Sequence, residues 1–314
     1  MTINVARTSD AWWVEQDGRL TRVETTASTT AELLADRQAV EKAAGSPDLD
    51  GLLAADVDLL APVTTPARVV CQMVNYRSHA IDSNFDPDTV PPAFFRKASG
   101  SVTGPTGQII CPDHVGFLDY EVELGLVLGR RLEIGDVVTP ENLADFVAAY
   151  VLTDDVSARD VQLTRTQFYE AKSYPTFTPV GPYLTLVDAG EVAALDHLRL
   201  HLEVNGETRQ DEAAADMIVR PAQALTLLAR FQVLDPGDLV LTGTPGGTAL
   251  KAPHPIVEKI GALLPPAVKW KAFFKKQAGN PRYLRDGDEV VATITDAERG
   301  VDLGVQRHVV RKVS

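Results

Sequence analysis

Three acidic residues at alternate positions, Asp119, Glu121 and Glu123, occur in Leu118-Asp119-Tyr120-Glu121-Val122-Glu123-Leu124. In a strand, successive side chains point to opposite faces, so these three share one face and the apolar residues share the other. The solvated face of a half-buried strand would account for them. Carboxylates side by side, however, repel unless something positive lies between them. A divalent cation is the usual remedy, and carboxylate oxygens suit Mg2+, Mn2+ or Ca2+ better than zinc. A second acidic group, Thr153-Asp154-Asp155-Val156-Ser157-Ala158-Arg159-Asp160-Val161-Gln162, follows an apolar run. Asp154 or Asp155 can cap a helix there, or ligate an ion, and one can do each. In Asn75-Tyr76-Arg77-Ser78-His79-Ala80-Ile81-Asp82, a helical turn makes His79 and Asp82 neighbours at i and i+3. An Asp beside a His orients the ring for general base work.

Two further motifs carry less specific signals. Leu241-Thr242-Gly243-Thr244-Pro245-Gly246-Gly247 is a Gly-rich turn after a strand, where backbone N–H groups and Thr hydroxyls can meet an anion. It lacks the Lys-Ser/Thr ending of a phosphate loop, which excludes nucleotide binding by that route. Lys172 stands in the otherwise uncharged stretch Ala171–Pro179. His197 and His201 have helical ligand spacing but precede or lie in a strand, and they read as structural.

The elements that must position these groups are mostly strands. Ala11–Val23 reads as two short strands about Gln16-Asp17-Gly18, and Thr30–Ala44 as a helix stopped by Gly45. Pro62 and Pro66 bracket a linker, so residues 1–65 form a small N-terminal module and 66–314 the main domain. Arg68–Val74, Leu118–Leu128, Leu239–Thr242, Glu289–Thr295 and Val301–Val310 are strand candidates. Leu198, Leu200, Leu202 and Val204 alternate and end at the hairpin signal Asn205-Gly206. Thr139 and Pro140 open a helix whose face is Leu143, Phe146, Val147 and Tyr150, and Pro221 opens another. Few helices among irregularly spaced strands predict a mixed α/β, β-dominated fold, not a doubly wound sheet. Residues 249–285 hold six lysines, Trp270 and Phe273-Phe274. They read as a lid-like insertion with helices over Val257–Leu264 and Ala267–Gln277.

Composition narrows the partners. The 314 residues carry 30 Lys and Arg against 43 Asp and Glu, a formal charge of −13. That balance excludes nucleic acid and anionic membrane surfaces as main partners. Cys71 and Cys111 are too few for a disulfide framework or a thiolate zinc site. With no signal-like start and no run of about 20 apolar residues, a cytoplasmic location is expected.

The order Asn-Tyr-Arg-x-His, Phe-x-Lys, Asp-Tyr-Glu-x-Glu-Leu, Asp-x-Ser-Ala-Arg-Asp-x-Gln, Lys-Ser and Thr-Gly-Thr-Pro resembles the fumarylacetoacetate hydrolase family, from about Arg68 to Val310. Within it, the chain looks like acylpyruvase-like or 2-oxo-hept-3-ene-dioate hydratase-like bacterial members. The resemblance implies strands rolled around a central metal site, a homodimer, and Mg2+ or Mn2+. Glu121, Glu123 and Asp155 fall on the metal ligands, and Asp155 is taken over Asp154 because it directly precedes Val-Ser-Ala-Arg. Arg159, Gln162, Lys97 and Thr244 fall on substrate-binding positions, Lys172 on a catalytic lysine, and His79 with Asp82 on the His–acid dyad of a lid. Asn75 stands where the mammalian hydrolase has an aspartate, which disfavours a four-carboxylate Ca2+ site.

The activity so implied is metal-dependent hydrolysis of a C–C bond in a 2,4-dioxo acid such as an acylpyruvate or fumarylpyruvate, through an enolate that the ion stabilises. The alternatives within the resemblance are oxaloacetate decarboxylation, or hydration, isomerisation or dehydration of 2-oxo acids in aromatic or sugar-acid catabolism. A non-catalytic small-molecule binder is the alternative of a different class.

Overall fold

The computed structural model describes residues 2–165, 167–252 and 265–313. The first strands in chain order are β1 (Ile3–Arg7), β2 (Trp12–Gln16), β3 (Arg19–Arg22), β4 (Leu52–Leu53), β5 (Val69–Met73), β6 (Ala93–Lys97), β7 (Val102–Thr103), β8 (Thr106–Cys111), β9 (Leu118–Asp119) and β10 (Val122–Leu128). They are followed by β11 (Val147–Asp154), β12 (Ser157–Ala158), β13 (Thr178–Pro179), β14 (Leu184–Leu186), β15 (Arg199–Val204), β16 (Glu207–Ala213), β17 (Leu239–Leu241), β18 (Glu289–Asp296) and β19 (Val301–Lys312).

Two sheets dominate. One has ten strands in the order β4-β3-β2-β1-β14-β11-β10-β17-β5-β6, and the other has five, in the order β16-β15-β18-β19-β8. The fold is thus mixed and β-dominated, as the strand signals predict.

Alternation along the central strands explains why the large sheet is buried on both faces. Leu124, Leu126 and Leu128 of β10, with Tyr150 and Leu152 of β11, face a core shared with Leu200, Leu202, Val290, Ala292 and Ile294 of the smaller sheet. Val127, Ala149 and Val151 point the other way, into a core closed by Trp12, Leu33 and Val40. The N-terminal strands are hydrogen-bonded into the same sheet, because β1 pairs with β14 from Ile3↔Leu186 to Val5↔Leu184. Asn205 and Gly206 both take positive φ, 53° and 76°, as a tight hairpin turn between β15 and β16 requires.

Three local readings differ from the structure. The helix expected from Thr139 through Tyr150 spans only Leu143–Phe146, and the chain enters β11 at Val147. The run Val-Ala-Ala-Tyr-Val-Leu-Thr is rich in strand formers, and pairing with β10 outweighs the accidental helical spacing. The 30–44 helix is two helices, Thr30–Ala35 and Arg37–Ala44, divided at Asp36. Leu118–Leu128 is broken at Tyr120-Glu121 instead of running as one strand. Of the two helices expected in the insertion, Pro266–Gln277 is present, whereas Val257–Leu264 lies outside the described residues. Among the described residues, no helix is long and apolar enough to cross a membrane.

Gly125 of β10 lies under crowded cover. A Cβ there would come within 2.7 Å of Val151 Cγ1 and 2.9 Å of Leu239 Cδ1. Gly125→Val should therefore cost about 1–3 kcal/mol of stability through overpacking, read as a lower midpoint in urea unfolding.

Candidate metal centre

The break at Tyr120-Glu121 has a counterpart. Directly across the ladder, the chain also breaks between β11 and β12, at Asp155-Val156. Pairing resumes on both sides, with Val122↔Asp154 before the gap and Ser157↔Asp119 after it. Inside the gap, Asp155 N–H donates to Glu121 O at 2.8 Å, and Glu121 N–H donates to Asp154 Oδ1 at 2.8 Å. The two adjacent aspartates thereby divide their roles. Asp154 satisfies a buried backbone donor, and burial pushes its carboxyl up to about 7. Asp155 turns towards Glu121 and Glu123, and ligand oxygens of these three buried residues lie within 4.8 Å of one another.

Cations hold part of this cluster together. Lys172 Nζ contacts Glu121, and donates to Asp155 Oδ2 at 2.5 Å. Arg159 donates to Asp119 Oδ2 at 2.8 Å, to Gln162 Oε1 at 2.9 Å, and to Glu121. Burial alone would raise the Glu121 carboxyl, but Arg159 and Lys172 outweigh it and hold Glu121 below the usual range. Burial lowers Lys172, yet Asp155 and Glu121 reverse that and keep it an ammonium. Glu123 is different. Its hydrogen bond from the described chain is Gly243 N–H at 2.7 Å, and no described ion pair reaches it. Burial and the neighbouring Asp155 and Glu121 push it well above the usual carboxylate range.

The other expected residues fall into place around a cavity of about 1120 Å³. Glu121, Glu123, Asp155, Arg159, Gln162, Lys172, Thr244 and His79 all line it, and Lys97 and Asp82 do not. Lys97 sits behind the cluster, donating to Asp155 and to Phe177 O at 2.6 Å, so its reach is to a ligand and not to the cavity. Asp82 does not pair with His79. Its carboxylate accepts Gly247 N–H at 3.0 Å and Lys251 Nζ at 3.0 Å, which ties the helix Arg77–Asp82 to the Gly-rich turn and to the start of the insertion.

That turn meets an anion, as its composition suggests, but the anion is Glu123 of the same chain. Thr244 Oγ1 donates to Val122 O at 2.9 Å and Thr242 Oγ1 to Leu124 O at 2.9 Å, continuing the β10–β17 ladder with side chains. The Thr244 hydroxyl proton is therefore committed to the fold. The Asn75 amide is also fully engaged, donating to Thr242 O and Val219 O and accepting Val219 N–H.

Sequence reasoning missed Gln72, Val74 and Arg282, which also line the cavity. Gln72 Oε1, His79 Nδ1 and Arg282 Nε are buried without a hydrogen-bond partner, and such orphaned atoms on a cavity wall call for a polar ligand. Val74 takes φ 50°, costly for a β-branched residue and of a kind concentrated at functional sites. Gln72, Val74 and Arg282 carry no motif; their place at the cavity follows from long-range packing.

Residues 68–311 match the family described as Fumarylacetoacetate (FAA) hydrolase C-terminal. A 2,4-didehydro-3-deoxy-L-rhamnonate hydrolase of Sphingomonas sp. (strain SKA58) is 37% identical over 231 residues, 73% of this chain and 78% of that protein. The mitochondrial oxaloacetate tautomerase FAHD2A of Bos taurus is 36% identical over 208 residues. That match covers 66% of this chain but 64% of the relative, just under two thirds of its length. A probable 2-hydroxyhepta-2,4-diene-1,7-dioate isomerase from Mycobacterium abscessus superposes at TM-score 0.74 with 26% identity, covering 100% of both chains.

The donor set fits a hard divalent cation. Asp119, Glu121, Glu123 and Asp155 face Lys97, Arg159 and Lys172, which leaves one carboxylate, Glu123, without a cation. An all-oxygen trio suits Mg2+ or Mn2+. Glu123→Ala should weaken Mn2+ binding at least about tenfold in a calorimetric titration, by the loss of a ligand. An unchanged affinity would place the ion elsewhere.

Proposed function

The chain belongs to the fumarylacetoacetate hydrolase family, and from that premise we propose that it is a divalent-metal-dependent hydrolase cleaving a C–C bond in a 2,4-dioxo acid of the acylpyruvate or fumarylpyruvate kind. The observation that carries this reading is the Glu121–Glu123–Asp155 trio opening onto the same cavity as an unpaired imidazole, His79. When bound, Mg2+ or Mn2+ supplies Lewis-acid stabilisation of negative charge on an enolate oxygen.

Charge supports the same substrate class. With Glu123 ionised, as a metal ligand must be, four carboxylates against Lys97, Arg159 and Lys172 leave one negative charge in excess. A divalent ion turns that into one positive charge, which the carboxylate at the 2-oxo end of the substrate matches. Arg159 and Gln162, joined to each other at 2.9 Å on the cavity wall, are the groups to meet the acid end.

His79 is suited to take a proton. Burial lowers its pKa below the ordinary value of 6.5, so the ring is neutral at neutral pH. As general base it removes a proton from water, and the water oxygen attacks the distal carbonyl. The C–C bond then breaks, its electron pair passes to the pyruvyl fragment as an enolate, and the proton held by His79 returns to that carbon. Lys172, kept as an ammonium, offsets the charge that develops.

Proton transfer on oxaloacetate is the second reading, supported by the named activity of the Bos taurus relative. Assaying acetylpyruvate and oxaloacetate side by side separates the two. EDTA should abolish turnover and Mg2+ or Mn2+ should restore it; full activity without metal would end the model.

His79→Ala should bind Mn2+ normally yet lower kcat on acetylpyruvate by about 10²–10⁴-fold. The pH dependence has a definite sign. The base must be neutral, so activity should fall as pH drops through a value below 6.5, and His79→Ala should lose that limb. Wild-type turnover in His79→Ala would remove the residue from the mechanism.

A further inference from the structure

The cavity is larger than a pyruvyl head and a small acyl group require. Its volume of about 1120 Å³ exceeds the roughly 300–1,000 Å³ typical of sites for drug-sized ligands. The wall also carries Phe85, Trp270 and Phe273, contributed by two segments other than those that bear the carboxylate trio. On the helix Pro266–Gln277, residues 270, 273, 274 and 277 share one face. That face is seated from the core outwards. Phe117 stacks on Tyr283 at 5.1 Å, Phe274 lies 5.6 Å from Phe117, and Trp270 stacks on Phe274 at 5.6 Å. Phe273 meets Trp270 edge-on at 5.9 Å.

Most polar groups of this segment are already used inside the protein. Gln277 Oε1 accepts the Tyr283 hydroxyl at 3.1 Å. Asn280 donates to Ala249 O at 2.8 Å and accepts Arg282 N–H at 3.0 Å. Lys251 is paired with Asp82. Lys276 and the orphaned Arg282 Nε remain on this wall as polar points, but the indole and phenyl faces beside them offer a flat apolar group the larger contact.

We infer that this part of the cavity selects substrates whose acyl tail is a ring-bearing apolar group, and that Trp270 and Phe273 determine that specificity. The substrate class rests on the 2,4-dioxo acid reading above; the preference for a ring rests on the cavity wall alone.

The test is calorimetric binding of phenylpyruvate and of pyruvate to the full-length protein in saturating Mg2+. Neither is a 2,4-dioxo acid, so the comparison does not depend on hydrolysis. Phenylpyruvate should bind at least about tenfold more tightly than pyruvate, as burial of a ring predicts. In Trp270→Ala and Phe273→Ala that ratio should fall to within about threefold, while Trp270→Phe, which keeps an aromatic face, should preserve most of it. Phenylpyruvate binding no tighter than pyruvate, no binding of phenylpyruvate, or a ratio unchanged in both alanine variants would overturn the inference. Turnover of benzoylpyruvate and acetylpyruvate is measured alongside. If neither is cleaved while the binding ratio holds, the hydrolase reading fails and the ring pocket stands.

Discussion

Like charges forced together in a dry interior are the constraint around which this molecule is arranged. Glu121, Glu123 and Asp155 are buried with their oxygens in mutual reach. Each carboxylate taken out of water carries a large desolvation cost, which only opposite charge and hydrogen bonds can offset. The fold answers with Lys97, Lys172 and Arg159 on two of the three, and with one backbone N–H on the third. Much of the surrounding architecture serves that arrangement. The smaller sheet contributes Gln210, whose amide accepts Val122 N–H at 2.9 Å and donates to Thr244 Oγ1 at 2.8 Å. One buried side chain of β16 thereby locks the two sheets beside the trio.

What could be read in advance follows from how local each cause is. Glu121 and Glu123 were legible because alternation along 118–124 puts them on one face, whereas Asp155 was told from Asp154 only by the family resemblance. The shared face was only partly right. Asp119 belongs to Arg159 and to the backbone N–H groups of Ala249 and Leu250, since the break at Tyr120-Glu121 detaches it from the period of β10. Strand existence was legible in the β15–β16 hairpin, where alternation and Asn205-Gly206 agree. It was not legible at Val147, where helical spacing and strand composition disagreed and a neighbouring strand decided the outcome.

The remaining discrepancies are non-local. Spacing made His79 and Asp82 partners, but Gly247 and Lys251, more than 160 residues away in the chain, offer Asp82 a better set of donors. Phe-x-Lys pointed to Lys97, yet only the packing of β6 against the Phe177 carbonyl shows that its ammonium approaches the cluster from behind. The aromatic content of the insertion was conspicuous in composition, while its direction depended on Phe117 and Tyr283, which no pattern linked to it.

The facing breaks in the two central strands have a consequence for how this scaffold can vary. Glu121 and Asp155 hold each other's backbone across one gap, and regular pairing resumes on either side. The gap acts as a fiducial mark. Loops beyond the strand ends can lengthen, shorten or be exchanged without altering the separation of the two carboxylates. A single residue inserted between Leu118 and Leu128, or between Val147 and Ala158, would slide one half of the mark past the other. The spacing of the carboxylates is therefore written in strand register, while His79, Lys172 and the aromatic wall are carried by the connections between strands.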